Sequence, residues 1–504
     1  MSVLNIKNNY INIKISLIII FLVGLILRFY YFPYDIPLFA DGLDNFTYAS
    51  AINFYGNLPN EWAPANNGWP IFLSFWFSII NLENSFEYMQ MQRVVSILLS
   101  SLTIIPIYLL CRKFFERKIS LIGAALFSFE PRIILNSTLG ITEPLFILLG
   151  VSSLLIFLKY GKKEIILAFI LASFTTIVRS EGIFLVITLS ILFFIKYKVS
   201  KEILKTYLPA LIIFLLILTP ILIYKTEVSG NDGIFQRVVG GTNQIISISN
   251  QEENNKIFAG IELFIKYLGW IMIPSFILFV PFGIIQLFRK RVKETNFIII
   301  FLVSSSIPIL YAYIVQAQDT RYLYFLYPIF CLISLFTVKS FISKFSKKNT
   351  IVLFLIVGIL MSSILFYEYK KIDFEKEREL NEIAKIISSK INGVNFHPTE
   401  TKYIKNVEIP KEWPFLFHEM YKIKSIQTQN YDNLEEYISD SENELSHLII
   451  DENSELPIFL VDVFLNEEEY EYLEKEFDSK EDGFKQHMKL FKIDFKKFHI
   501  IIDR

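Results

Sequence analysis

Hydrophobic and polar positions along the chain fall into two regimes. Between residues 15 and 367, apolar runs recur that approach the ~20 residues a bilayer-spanning helix requires, and beyond 368 the sequence turns charged and Glu-rich. The runs predict eleven membrane helices, at 15–32, 91–111, 119–136, 141–160, 164–179, 182–197, 206–224, 260–288, 296–315, 322–338 and 350–367. The fifth and sixth are short and meet around 178–182. The first passes into Arg28, Phe29, Tyr30 and Tyr31 without a small-residue cleavage site, which predicts a retained anchor rather than a removed signal peptide.

Outside these runs the spacing predicts smaller elements. In the long first loop, 33–90, a helix is expected to run to Tyr55, and the apolar stretch 71–80, too short to span, reads as an interfacial or re-entrant helix with its Trp residues at headgroup depth. In the tail, Ile372, Leu380, Ile383 and Ile387 recur at helical spacing. β-rich runs follow at 421–428, 447–451 and 487–495, with helix-like stretches at 433–438 and 467–477 between them. The expected fold is therefore mainly α: a polytopic membrane bundle over 1–367, and a small extracytoplasmic α/β domain over 368–504.

Composition supports this division. The chain has 504 residues, of which 53% are hydrophobic and only 20% charged, and its mean hydropathy of +0.43 disfavours a soluble enzyme. A net charge of -1 gives no basis for a nucleic-acid partner. Charge matters by position: Arg112, Lys113, Arg117 and Lys118 share one loop, and Lys162, Lys163, Lys196, Lys198, Lys201, Lys205, Arg289, Lys290, Arg291, Lys293, Lys339, Lys344, Lys347 and Lys348 fall in alternate later ones. The 33–90 loop has no Lys or Arg but carries Asp35, Asp41, Asp44, Glu61, Glu83 and Glu87. The positive-inside rule then puts the N-terminus inside, and the first loop and the tail outside. All five His lie in the tail, and Cys111 and Cys331 sit in or beside apolar runs, so neither a disulfide framework nor a Cys-based zinc site is available.

Candidate chemistry gathers on the outer face. Asp41 and Asp44, beside Gly42 and among aromatics, could supply a general base or divalent-cation ligands. Asp44 also reads as a helix N-cap, with Asp41 in a turn. Glu130-Pro131-Arg132, Glu143-Pro144 and Arg179-Ser180-Glu181-Gly182 lie at outer helix ends, where charges mark either a site or a buried pair. Arg321 adds a further cation, suited to phosphate or to snorkelling. Trp69 reads as a cleft-lining residue or an aromatic-belt anchor. No Gly-rich phosphate loop occurs, which disfavours a nucleotide-driven pump or a cytoplasmic nucleotide-sugar enzyme.

The Asp-bearing first loop, then Gln92-Arg93-Val94-Val95-Ser96, Ile107 to Phe115, Phe129 to Arg132, Thr142 to Leu145 and Arg179 to Gly182, in that order, resemble the C-type membrane glycosyltransferases. The likeness is greatest to family 39, which includes dolichyl-phosphate-mannose protein mannosyltransferases and aminoarabinose transferases, and it covers roughly residues 10–340. The resemblance implies transfer of a sugar from a polyprenyl- or dolichyl-phosphate donor to a protein, lipid or glycan acceptor on the outer face of a membrane, plausibly the plasma membrane. It implies an acid of the first loop as base, Asp41 first and Asp44 second, and Arg179 and Arg321 toward the donor phosphate. Arg132, Glu143, Glu181 and Trp69 then line the site. No cofactor is required, though Asp41, Asp44 and Glu143 could hold a divalent cation. The loop lacks the adjacent Asp-Glu pair of the mannosyltransferases, which leaves Asp41 and Asp44 both open. The Trp-Trp-Asp motif of oligosaccharyltransferases is also missing, which disfavours transfer of a whole glycan to asparagine. Two rival readings are a transporter or flippase, for which no related halves are seen, and a non-catalytic membrane scaffold, which leaves the clustered charges unexplained.

Overall fold

The computed structural model describes residues 3–60, 63–159, 164–236, 254–290, 293–315, 317–370, 374–390, 431, 433–441, 445–452 and 457–502. The chain is mainly helical and divides into two compact units. The first comprises Met1–Phe32, Leu58–Trp76 and Met91–Ile372; the second comprises Pro33–Asn57, Phe77–Gln90 and Asp373–Arg504.

In the first unit every one of the eleven expected runs carries helix, but not every one is long enough to span. Among the described residues seven helices are long and apolar enough to cross a membrane, or up to nine if each of two bent pairs is one span. The remaining two, Glu143–Lys159 and Ile165–Val178, have 17 and 14 residues. The expected span 119–136 is broken into Arg117–Ser128 and Pro131–Thr138, bent by 50°. Pro131 has no N–H to donate into the preceding turn, and it confines Glu130 to extended backbone, φ -68° and ψ 118°. The expected span 260–288 is likewise two helices, Lys256–Ile271 and Phe276–Arg289, meeting at 113°.

Two fully buried polar groups in this unit were not singled out from the sequence. Arg28 donates to the carbonyls of Gly24 and Ser128 at 2.9 and 3.0 Å and to Ser100 Oγ at 3.1 Å. Lys225 Nζ donates to the Ala65 carbonyl at 2.7 Å. Arg28 interrupts an otherwise apolar run, the signal by which sequence could have found it, whereas Lys225 directly follows the end of one.

The second unit holds a three-stranded antiparallel sheet of β1 (His447–Asp451), β2 (Leu473–Asp478) and β3 (Met488–Ile493), in the order β1-β3-β2. Alternation sends Leu448 and Ile450 to one face, where they pack with Tyr437, Ile438, Leu460, Val463 and Phe498. Ile449, Met488 and Leu490 face the other way, onto Ile383, Ala384 and Ile387 of the helix Glu375–Lys390. The expected helix over 467–477 is corrected to a short 3-10 turn, Glu467–Glu469, followed by β2. Pairing with the buried central strand β3 overrides the helix preference of its Glu, Leu and Lys. The expected strand at 421–428 and Ile372 lie outside the described residues. The same unit contains the helix Asp41–Tyr55, tied by an Arg378–Asp35 ion pair of 2.6 Å and by contact of Phe39 with Phe374.

Candidate active site

The carboxylates of the first loop sit at the start of their helix. It begins at Asp41, four residues earlier than the capping alternative for Asp44 required, and its N-cap is Ala40, which makes no side-chain bond. Asp44 is therefore in the first turn, one turn above Asp41, and both acids face the positive end of the helix dipole. Ala40 has φ +46°, a region that residues with a Cβ rarely adopt, so strain is stored where the acid pair is launched. Partial desolvation, and then the charge of Asp41, push the Asp44 carboxyl above its ordinary value.

Arg179, Glu143, Glu181 and Arg321 line one cavity of the first unit. Arg179 is placed by a break in the chain: the helix Ile165–Val178 stops at it, Arg179 itself is extended, and a 3-10 turn, Ser180–Gly182, follows. Its Nη1 donates to Glu143 Oε1 at 2.5 Å and its Nη2 to Glu181 Oε1 at 2.9 Å. Glu143 is buried at the first position of its helix, whereas Glu181 is partly open to solvent. Arg321 Nε donates to Asp319 Oδ2 at 2.6 Å, and the Arg321 N–H donates to Asp319 Oδ1 at 2.8 Å. Two guanidiniums thus face the cavity, each paired with carboxylate, and Glu181 is the more accessible partner of Arg179. The other walls are largely apolar, with Phe146, Phe184, Ile309 and Phe325. Tyr322, not picked out from the sequence, also lines the cavity, with Arg179 5.7 Å from its ring centre.

Backbone contact closes the turn that carries Arg179. A Cβ on Gly68 would lie 2.6 Å from the Val178 nitrogen, and one on Gly182 would lie 2.6 Å from the Thr176 nitrogen. The Ser180 N–H donates to Asn66 Oδ1 at 3.3 Å. Trp69, next in sequence, is fully buried. Its Nε1 donates to the Gly140 carbonyl at 2.9 Å, and Gln92 Nε2 donates to the same oxygen at 2.7 Å. Trp69 therefore braces the turn before Glu143 and is not among the residues facing the cavity.

Arg132 is also elsewhere. It pairs with Glu130 at 3.2 Å, donates to the Ile273 carbonyl, and lies 4.8 Å from the Phe366 ring centre. Tyr327 Oη donates to Glu130 Oε1 at 3.3 Å and to the Ile271 carbonyl at 3.1 Å. This is a buried structural pair at the bend of the third run. Among the described residues, no group of three or more His, Cys, Asp or Glu side chains is arranged to hold a metal ion.

The fold is shared with solved oligosaccharyltransferase and ArnT structures. The chain is similar to the Archaeoglobus fulgidus oligosaccharyltransferase crystallised with Zn and sulfate, at 13% identity and a TM-score of 0.50, over 76% of this chain and 58% of that one. It is similar to archaeal AglB from the same organism in complex with an inhibitory peptide and a dolichol-phosphate, at 9% identity and 0.51, over 87% and 69%. ArnT from Cupriavidus metallidurans bound to undecaprenyl phosphate matches at 9% identity and 0.52, over 94% and 97%. More particularly, residues 71–224 match the dolichyl-phosphate-mannose-protein mannosyltransferase family, which bears out the resemblance read from the sequence. The chain thus spans just over half the length of the first of these structures. No curated protein matches it.

Proposed function

We propose that the protein is an integral membrane glycosyltransferase that moves a sugar from a polyprenyl-phosphate donor to an acceptor hydroxyl of a protein, lipid or glycan. The observation that carries this reading is that Arg179 and Arg321 open on one cavity whose remaining walls are mainly apolar. Such a lining suits a phosphate on the guanidiniums with an apolar group beside it. Guanidinium forks match phosphate oxygens geometrically and remain charged at any working pH. The lipid phosphates named for ArnT and AglB support the same donor class.

In the proposed reaction a first-loop carboxylate, Asp41, takes the proton of the acceptor hydroxyl. The oxygen attacks the anomeric carbon, and the bond from that carbon to the phosphate oxygen breaks with its electrons passing to the leaving polyprenyl phosphate. Arg179 and Arg321 stabilise the charge that develops there. A single displacement inverts the anomeric centre. Asp44 is the second candidate for the base, since its raised pKa brings it nearer to working pH. Glu143 fixes Arg179 from the buried side, and Glu181 swings away when phosphate arrives. The same reading has eleven membrane passages, the N-terminus inside, and the catalytic face and tail outside the plasma membrane, as the loop charges require.

Turnover of lipid-linked sugar by purified Asp41→Asn and Asp44→Asn tests it. Loss of a general base lowers the rate by roughly 100-fold to 10,000-fold while donor binding survives. An active Asp41→Asn with an inactive Asp44→Asn transfers the role to Asp44; full activity in both ends the proposal.

A further inference from the structure

A second groove lies in the first unit, lined by none of the residues of the Arg179 cavity. Three helices form it: Val3–Tyr30, Arg117–Ser128 and Lys348–Lys370. Its walls are apolar, with Ile19, Ile20, Leu121, Leu353 and Ile356, and Ile19 and Leu353 remain more than half exposed, at 53% and 63%. One cation, Lys118, stands among them. Its Nζ donates to Asn349 Oδ1 at 2.6 Å, and no ion pair joins it to any described residue. An ammonium has three donors, so two remain for another acceptor. Glu116, two residues earlier, is exposed and forms no described ion pair with it. The neighbouring positions Arg117, Lys347 and Lys348 are also basic.

We infer that this groove binds one anionic phospholipid of the bilayer, with an acyl chain against Ile19, Ile20, Leu353 and Ile356 and the headgroup phosphate on Lys118. Charge complementarity selects the occupant: the groove is apolar except at one end, and that end is cationic. Basic pockets between membrane helices recognise anionic headgroups in this way, and a juxtamembrane basic residue near an anionic surface contributes enough to change binding about fivefold. The site is distinct from the Arg179 cavity and does not depend on the function proposed above.

The test uses the full chain reconstituted in phosphatidylcholine vesicles containing a minority of phosphatidylglycerol, with co-purifying lipid counted per protein by mass spectrometry after detergent exchange. Wild type is expected to retain phosphatidylglycerol over phosphatidylcholine. Lys118→Gln and, independently, Asn349→Asp, which sets a carboxylate against Lys118, lower that retention about fivefold, while Lys118→Arg keeps it. Leu353→Trp, which fills the groove, lowers retention with Lys118 intact. Thermal unfolding of each variant checks that it is folded, and the two charge variants, on different helices, serve as checks on each other. Equal retention by wild type and both charge variants overturns the assignment. So does equal retention of the two lipids by wild type, or preferential retention of an added polyprenyl phosphate.

Discussion

Gly182→Ala isolates how closely the Arg179 turn is specified. Gly182 has φ -57°, which alanine adopts without strain, so the change acts only through its added methyl group. That carbon would lie 2.6 Å from the Thr176 nitrogen and 2.7 Å from Thr175 C and Thr176 Cα, all backbone atoms with no rotamer to yield. Reaching the 3.4 Å of ordinary contact requires the turn to move about 0.8 Å, at an overpacking cost of about 1–3 kcal/mol. The Gly182 N–H is bonded to the Arg179 carbonyl at 2.9 Å, so Arg179 moves with it. A comparable displacement lengthens its 2.5 Å bond to Glu143, which lies on a separate helix, to about 3.3 Å. Misplacement of a positioning group by about 1 Å costs on the order of 100-fold in rate. Purified Gly182→Ala should therefore turn over lipid-linked sugar about 100-fold more slowly and unfold at a lower temperature. Gly269→Ala, with nothing within 4 Å of the added carbon, should match wild type in both. Wild-type turnover by a folded Gly182→Ala would refute the claim that this backbone contact positions Arg179.

Three further outcomes are expected. Arg179→Lys and Arg321→Lys keep the charge but lose the guanidinium fork, so donor affinity should fall for each; unchanged titrations of donor phosphate for both would remove them from the phosphate site. Arg132→Met leaves Glu130 buried and uncompensated, and should cost about 3–5 kcal/mol in unfolding measurements, part of which Glu130→Gln in the same chain recovers. Because the Asp44 carboxyl titrates above its ordinary value, the folded state favours its protonated form. The associated stability is present at low pH and declines as pH rises from the usual carboxylate range through the raised value, a slope that Asp44→Asn should abolish in thermal unfolding across that window.

The membrane helices were legible because length and apolarity suffice to mark them, and Arg179, Glu143 and Arg321 were legible because charges at the ends of such helices are conspicuous. The bend at Glu130–Pro131 was written in the proline yet hidden inside an apolar run. β2 escaped notice because its Leu, Glu and Lys favour helix and its strand character comes from pairing with β3. Ile458–Leu465 is apolar at every position but Asp462, so it carried no period to read. Tyr322 and the bracing role of Trp69 depend on which segments meet in space. Tyr322 lies 143 positions from Arg179, and Trp69 reaches Gly140 across 71 positions, distances over which residue patterns carry no information.

The composition of the second unit has a consequence for how the protein is made. The helix bearing Asp41 and Asp44 leaves the ribosome early, but Asp35, just before it, finds its ion-pair partner Arg378 only 343 residues later. For most of translation, then, the acidic helix waits without the chain segment that completes its surroundings, and contacts of such long sequence separation form late. A chain released before residue 373 would carry the Arg179 cavity and both carboxylates yet lack the framework for the latter. Assembly of the first-loop acids is in this way deferred until the chain has been made past Arg378.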